Sequence, residues 1–196
     1  MQIKTNKHII LASQSPRRKK LLEQIGLSFT VVHSGFDEEA VNSTATPREH
    51  ARLLALGKAR DVAARFDGDY IVIGADTIVV LDGEILNKPK SPEQASEMLN
   101  KLSGRTHTVF TGIALIDCAA RKEITDVQAT EVTFRRLGQS EIDEYIAGGS
   151  PMDKAGSYGI QDDYGAVFVS RIVGCYYNIV GLPLEMVFSK LKELTE

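Results

Sequence analysis

One segment combines hydroxyl and guanidinium side chains in an order suited to binding a phosphate group. In Ser13-Gln14-Ser15-Pro16-Arg17-Arg18, two arginines follow two serines and a proline, directly after the apolar run Ile9–Ala12. Ser15 is a predicted helix N-cap, with a proline at the first helical position. Exposed N–H groups, hydroxyls and two guanidiniums would then converge on an anion. A solvated basic helix face is the alternative, since two lysines follow.

Carboxylates that could hold a metal ion or accept a proton occur in two places. In Gly74-Ala75-Asp76-Thr77, we expect Asp76 to end an apolar strand, at the carboxyl edge where α/β folds gather ligands. It could hold Mg²⁺ or take a proton from water, or it could simply end the strand. The triplet Asp37-Glu38-Glu39 could add a metal ligand, although loop carboxylates are usually only solvated.

Further candidate binding residues are two lysines and one glutamine. Lys58, inside a long predicted helix, and Lys88, before a proline, could each hold phosphate as a point charge or could face solvent. In the loop-like segment 153–161, Gln161 offers both a donor and an acceptor, as reading the edge of a pyrimidine base would require. The alternative is a glycine-containing turn with a surface glutamine.

Other catalytic chemistries have little support. The four histidines lie in unremarkable contexts, and His107 is interpreted as a satisfied loop histidine. The sequence contains neither a GxSxG nucleophile motif nor a GxxxxGK[ST] phosphate loop. Cys118 and Cys175 are far apart and outside any CxxC pattern, so we expect free thiols rather than a zinc site or a disulfide.

The elements that must position these residues alternate between strand-like and helix-like runs, which is typical of α/β or α+β proteins. Serine or threonine followed by proline predicts three helix starts, at Ser15, Thr46 and Ser91. Asp82-Gly83 predicts a hairpin turn. Further predictions are a helix capped by Ser140, an apolar strand over 166–173 and a final helix from about Pro183.

Composition and charge narrow the class of protein. The 196 residues are 43% hydrophobic and 25% charged, which fits one globular domain rather than a disordered chain. The net charge of −3 argues against broad binding to a nucleic-acid backbone but not against a small anionic substrate. We expect neither a signal peptide nor a membrane span, since no apolar run approaches roughly 20 residues.

Taken together, six segments resemble the motifs of the Maf proteins, a family of nucleoside triphosphate pyrophosphatases, and occur in the family's order. The resemblance covers nearly the whole chain, from about Ile9 to Phe188. The segments are Ser13-Gln14-Ser15-Pro16-Arg17-Arg18, Gly74-Ala75-Asp76-Thr77, Asn87-Lys88-Pro89, Ser103-Gly104-Arg105-Thr106-His107, Asp153-Lys154-Ala155-Gly156 and Asn178-Ile179-Val180-Gly181-Leu182-Pro183.

The resemblance implies a single domain over residues 1–196, with an α/β fold like that of the inosine triphosphate pyrophosphatases. An elongated mixed sheet with flanking helices would then form two lobes around a cleft that holds the active site. The implied reaction is metal-dependent hydrolysis between the α- and β-phosphates, giving a nucleoside monophosphate and pyrophosphate. The resemblance also implies Mg²⁺ or Mn²⁺ as cofactor, a homodimer and a cytoplasmic location.

Residue roles follow by position in the matched motifs. Asp76 corresponds to the family's proton acceptor and, with Glu38, to its metal site. Residues at the family's specificity positions are Arg17, Thr77 and Gln161, and those lining the phosphate and metal site are Arg18, Glu38, Lys58 and Lys88. Gln161 after Gly159-Ile160 resembles the subgroup that hydrolyses dTTP and UTP.

Two departures from the family pattern affect this interpretation unequally. Asp162-Asp163-Tyr164 is one residue longer than expected and could reshape the base pocket, whereas Cys175 replaces a common small polar residue with little consequence. Two other functions stay open: a pyrophosphatase for modified purine nucleotides such as 7-methyl-GTP, and a non-enzymatic, nucleotide-binding regulator of cell division.

Overall fold

The computed structural model describes residues 5–41, 45–161 and 164–195, which form the predicted mixed α/β fold. Seven strands form one sheet, with helices flanking it. The strands are β1 (His8–Ala12), β2 (Thr30–Val31), β3 (Tyr70–Leu81), β4 (Glu84–Leu86), β5 (Thr106–Asp117), β6 (Lys122–Phe134) and β7 (Val169–Val173). The helices are α1 (Pro16–Gln24), α2 (Pro47–Ala63), α3 (Pro92–Leu102), α4 (Gln139–Ala147), α5 (Gly165–Phe168), α6 (Tyr176–Val180) and α7 (Leu184–Thr195).

The sheet is parallel at one end and antiparallel at the other. Its order is β2-β1-β3-β5-β6-β7, with β4 paired to β3 as well. Strand β1 runs parallel to both β2 and β3, and its pairing with β3 ends where Ala12 lies opposite Gly74. The pairs β3–β4 and β6–β7 are antiparallel.

Contacts along the chain define two compact units. The first comprises Met1–Asp76, Thr111–Gln128 and Gly181–Glu196, and the second comprises Thr77–Phe110 and Ala129–Val180. Strands β3, β5 and β6 therefore contribute residues to both units. Each unit has its own buried side chains.

In the first unit, the backbone of helix α2 packs directly against the backbone of the sheet. Its sheet-facing side carries the fully buried alanines Ala51, Ala55 and Ala59, spaced one turn apart. They lie over glycines of β3 and β5: a Cβ added at Gly74 would lie 2.4 Å from the carbonyl oxygen of Ala55, and one added at Gly112 would lie 2.2 Å from that of Ala51. Only glycine permits this approach.

An apolar core surrounds these contacts in the first unit. It joins Ile10 and Ala12 of β1 to Val72 of β3 and to buried residues of α2 and β5. Because β1 and this part of β3 are buried on both faces, their sequences read as continuous apolar runs.

In the second unit, helices α3 and α4 bury apolar sides and a cluster of aromatic rings fills the interior. Met98 and Leu99 of α3 and Ile142 of α4 are buried. Phe134 contacts Tyr158, Phe168 and the ring of His107 edge-to-face, with centroids 4.8–5.9 Å apart. Edge-to-face pairs add stability beyond that of the apolar area they bury, because the positive edge of one ring meets the negative face of the other.

Three of the predicted helix starts are confirmed, and two other local predictions are wrong. The side chains of Ser15, Thr46 and Ser91 each accept a hydrogen bond from an N–H of the first turn. Ser140 is not a cap, because α4 begins one residue earlier and the Gly138 N–H donates to Glu141 Oε2 at 2.8 Å instead. The strand predicted over 166–173 begins only at Val169, after the helical turn α5.

Within the described ranges, no helix is both long and apolar enough to cross a membrane.

The close packing of α2 predicts a large cost for any side chain at Gly112. Gly112→Ala should lower the free energy of unfolding by about 1–3 kcal/mol, because the new Cβ collides with backbone atoms that have no rotamer to change. Denaturant unfolding measures the change. Gly148→Ala is the control, since its φ is −70° and its Cβ would lie an ordinary 3.4 Å from the nearest atom. Equal stability of the two variants would contradict this account.

Candidate active site

The start of helix α1 is built around Arg18. Its backbone N–H lies 3.5 Å from Ser15 Oγ, which caps the helix, and its Nη1 donates to Ser13 Oγ at 3.2 Å. Its Nε donates to the carbonyl oxygen of Gly181 at 2.9 Å. The buried hydroxyl of Ser13 also accepts the Ser15 N–H at 3.2 Å. The guanidinium of Arg18 is therefore held in one orientation by Ser13 Oγ and the Gly181 carbonyl oxygen, both of the first unit.

The charges around Arg18 belong to the predicted site residues. Burial lowers the pKa of the Arg18 guanidinium below its ordinary value, and the positive charge of Arg17 lowers it further. The carboxylates of Asp76 and Glu38 oppose this shift. Two cations and two anions thus lie close enough to influence one another, as the sequence motifs predict.

Lys58 lies between the two carboxylates. Its Nζ is 2.5 Å from Asp76 Oδ1 and 2.7 Å from Glu38 Oε1. The side chains of Lys58 and Asp76 are only 14% and 11% exposed, whereas that of Glu38 is 58% exposed. The sequence alone leaves the direction of Lys58 open. The structure directs it toward β3, because the neighbouring residues Ala55 and Ala59 place that side of α2 against the strand.

The structure corrects the expected position of Asp76. The sequence predicts that Asp76 ends a strand, but β3 continues without a break from Tyr70 to Leu81. Backbone pairing does not depend on side-chain polarity, and β4 pairs with the later half of β3. Asp76 nevertheless lies two residues beyond Gly74, the last residue that pairs with β1. It therefore follows the carboxyl end of the parallel part of the sheet, where ligands of α/β folds bind.

The remaining predicted site residues belong to the second unit. Thr77 follows Asp76 on β3 and is half-buried, Lys88 is exposed after β4, and Gln161 is half-buried after a short turn at Ala155–Ser157. Asp162 and Asp163, the extra length noted in the sequence, lie outside the described residues. The first unit thus brings together Ser13, Ser15, Arg17, Arg18, Glu38, Lys58 and Asp76.

The segment that carries Gln161 is fixed by residues that sequence reasoning missed. The hydroxyl of Tyr158 lies 2.8 Å from His107 Nε2, and the Gly159 N–H lies 3.3 Å from the hydroxyl of Tyr145. His107 is only 2% exposed and lies inside β5, so its interpretation as a loop histidine is wrong. Its alternation with the buried Val109 along the strand is the signal that could have found it.

Two carboxylates and a lysine decide how a divalent metal ion could bind. Among the described residues, no group of three or more His, Cys, Asp or Glu side chains could hold a metal by itself. Mg²⁺ commonly takes one or two protein carboxylates and completes its shell with water and substrate phosphates. Glu38 and Asp76 fit that donor set, since both carboxylates already point toward the same ammonium group, that of Lys58.

Comparisons with known proteins identify a family and relatives that match over most of the chain. The profile of the family described as "Maf-like protein" matches residues 8–194. A protein of Alkaliphilus oremlandii named dTTP/UTP pyrophosphatase is 51% identical over 178 residues, covering 91% of each chain. A protein of the same name from Bacillus thuringiensis subsp. konkukian is 49% identical over 185 residues and 94% of each chain.

Among solved structures, a HAM1 protein from Coxiella burnetii has a similar fold. Its TM-score is 0.50 over 95% of this chain and 99% of that chain, at 15% sequence identity. At this identity the likeness concerns the fold alone.

The burial of His107 predicts a pH-dependent stability. Burial lowers the pKa of His107 from 6.5 to about 4, so the unfolded chain binds the proton more tightly. The contribution of His107 to the free energy of unfolding should therefore fall by up to about 3 kcal/mol as the pH drops from 6.5 to below about 4. Urea unfolding of wild type and His107→Gln, which keeps a polar partner for Tyr158, isolates the effect. Identical pH dependence in both proteins would refute it.

Proposed function

Since this chain belongs to the Maf family, we propose that it hydrolyses dTTP and UTP to the nucleoside monophosphate and pyrophosphate. This activity makes it a hydrolase of acid anhydrides, a nucleoside triphosphate diphosphatase. Relatives that are about half identical over more than 90% of their length are named dTTP/UTP pyrophosphatase. The observation that carries the proposal is the meeting of Arg18, Lys58 and Asp76, which joins two anion-binding cations to a possible base.

In the proposed first step, the triphosphate replaces carboxylates as the partner of the cations. Lys58 Nζ is paired with Asp76 and Glu38. Phosphate oxygens carry more charge than a carboxylate and accept hydrogen bonds from Lys and Arg equally well. Lys58 therefore turns from the carboxylates toward the phosphates, which the already oriented Arg18 and its neighbour Arg17 also bind. This exchange leaves Asp76 able to accept a proton.

In the proposed chemical step, water attacks the α-phosphorus. Asp76 takes a proton from the water as the water oxygen bonds to the α-phosphorus. The bond from this phosphorus to the oxygen that bridges the α- and β-phosphates breaks. The electron pair of that bond leaves with pyrophosphate, whose charge the arginines and lysines stabilise. Because Ser13 and the Gly181 carbonyl oxygen orient Arg18 beforehand, its contribution to charge stabilisation needs little rearrangement during the reaction.

A divalent cation, Mg²⁺ or Mn²⁺, would complete the charge balance. Glu38 and Asp76 are the residues that would hold it, and it would screen the phosphates and polarise the bond that breaks.

Base selection is assigned to the second unit. The carboxamide of Gln161 offers a donor for the O4 atom and an acceptor for the N3–H group of uracil or thymine. Anchoring of the preceding residues through Tyr158 and Gly159 supports this role, because a hydrogen bond discriminates only when its protein partner is held in place. Thr77 and Arg17 complete the proposed specificity positions.

Three further features are proposed from the family resemblance. They are a cytoplasmic location, assembly as a homodimer, and a single catalytic domain formed by residues 1–196. The proposed partner is a nucleoside triphosphate, with no role for nucleic acid or membrane.

Replacement of Asp76 by Asn tests the base. The amide keeps the size of the side chain but cannot accept the proton, so kcat for dTTP should fall by roughly 10²–10⁴-fold. Pyrophosphate release measures kcat. Asp69→Asn, at an exposed position of the same unit, should behave like wild type. Near-normal turnover by Asp76→Asn would remove Asp76 from the mechanism.

A nucleotide panel tests the base preference. With Mg²⁺ or Mn²⁺ present, wild type should release pyrophosphate fastest from dTTP and UTP, and chelation of the metal should stop the reaction. Gln161→Glu loses the donor to O4, which should lower kcat/KM for both nucleotides by about 10–100-fold. Pyrophosphate release from each nucleotide gives these values.

Two results on the panel would favour the other functions. A preference for 7-methyl-GTP or ITP would indicate a pyrophosphatase for modified purines. Nucleotide binding without any pyrophosphate release would indicate the non-enzymatic regulator of cell division.

A further inference from the structure

The segment that carries Glu38 is fixed to helix α2 by one carboxylate. We call residues 33–38 the carboxylate loop. Asp61 Oδ2 accepts the Gly35 N–H at 2.8 Å and the Ser34 hydroxyl at 3.0 Å. Arg65, one turn later on the chain, donates to the same oxygen at 2.5 Å and to the His33 carbonyl oxygen at 3.0 Å. A single pair of side chains thus binds three consecutive residues of the loop.

A second contact fixes the loop nearer to the site. The ring of Phe36 lies directly over Gly57, where an added Cβ would be 2.3 Å from Phe36 Cζ. The Phe36 N–H also donates to Ser34 Oγ at 3.0 Å, which links this contact to the Asp61 contact. Gly57 directly precedes Lys58. The loop therefore contacts α2 one residue before the lysine that pairs with Glu38.

These contacts explain the position of an otherwise exposed carboxylate. The Glu38 side chain is 58% exposed, and an exposed ion pair gains little stability from its own attraction. Its Oε1 nevertheless lies 2.7 Å from Lys58 Nζ. The Asp37 side chain accepts the Glu39 N–H at 3.0 Å and turns the chain at this point. The direction of Glu38 is therefore set by its loop rather than by the ion pair.

We propose that Asp61 is a positioning residue, which holds the carboxylate loop so that Glu38 meets the cation bound with the nucleotide. The proposal builds on the proposed function. Asp61 lies one turn beyond Lys58 on α2 and outside the charged cluster, so it acts only through the loop. Gly57 supports the same arrangement by leaving room for the Phe36 ring.

The test measures the metal requirement as well as turnover. Wild type, Asp61→Ala, Glu38→Gln and the double variant are assayed for kcat and KM with dTTP over a range of MnCl₂ concentrations. Binding of Mn²⁺ in the presence of a non-hydrolysable α,β-imido analogue of dTTP is followed separately by electron paramagnetic resonance. Losing an outer partner of a metal ligand commonly weakens metal affinity by about 10–100-fold.

We expect Asp61→Ala to raise the Mn²⁺ dissociation constant by at least about 10-fold. Because Asp61 acts through Glu38, the double variant should bind Mn²⁺ no more weakly than Glu38→Gln alone. Asp61→Asn, which keeps an oxygen for Ser34 and Gly35, should recover most of the affinity. Unchanged Mn²⁺ binding in Asp61→Ala, or losses that add fully in the double variant, would overturn the proposal.

Two further variants separate positioning from general instability. Glu123→Ala removes the ion pair to Arg60, the neighbour of Asp61 on α2, and should leave Mn²⁺ binding unchanged. Gly57→Ala displaces the Phe36 ring while adding a better helix former, so it should weaken Mn²⁺ binding in a folded protein even if Asp61→Ala does not fold. Normal Mn²⁺ binding by Gly57→Ala would also contradict the proposal.

Failure of the proposed function has a different signature. A wild-type protein that releases no pyrophosphate would refute that function, while the resonance titration would still compare Mn²⁺ binding by wild type and Asp61→Ala.

Discussion

The approach of helix α2 to the sheet at backbone distance is the constraint on which the site depends. Alanines on one side of the helix meet glycines of β3 and β5, and no larger side chain fits at Gly74 or Gly112. A helix held this close brings Lys58 within 2.5 Å of Asp76 on β3. On its other side, Gly57 and Asp61 receive the carboxylate loop. Packing of small residues therefore sets the distances among charged ones.

Those charges compensate one another. Removing a carboxylate or an ammonium from water is costly, and the cost is offset only when an opposite charge and further hydrogen bonds are present. Lys58 and Asp76 are each less than 15% exposed and satisfy this condition together. For Arg18 the opposite charges are the carboxylates of Asp76 and Glu38, and the hydrogen bonds go to Ser13 and the Gly181 carbonyl oxygen. In the proposed reaction, a triphosphate replaces the carboxylates as partner of these cations, and a proton or the divalent cation would then compensate the charge of Asp76.

Local features of the fold could be predicted from the sequence because their causes are local. A capping hydroxyl before a proline predicts three helix starts, and Asp82-Gly83 predicts a hairpin whose two residues have φ of 50° and 83°. Features set by distant partners could not be predicted. The continuation of β3 through Asp76 depends on strand pairing, and the burial of His107 depends on Phe134 and Tyr158.

The same distinction applies to the site. Residue types and order identify the candidate residues, and a motif resemblance gives them roles, but neither reveals that Lys58 is paired with both carboxylates. The charges gathered at this pairing show that the net charge of −3 does not describe the local charge of the site. The average argues against an extended basic surface, yet Arg17, Arg18 and Lys58 locally outnumber the carboxylates of Glu38 and Asp76. In the proposed mechanism, a divalent cation held by Glu38 and Asp76 would add to this local positive charge, and the site would then favour a nucleotide bound with its cation over a bare polyanion.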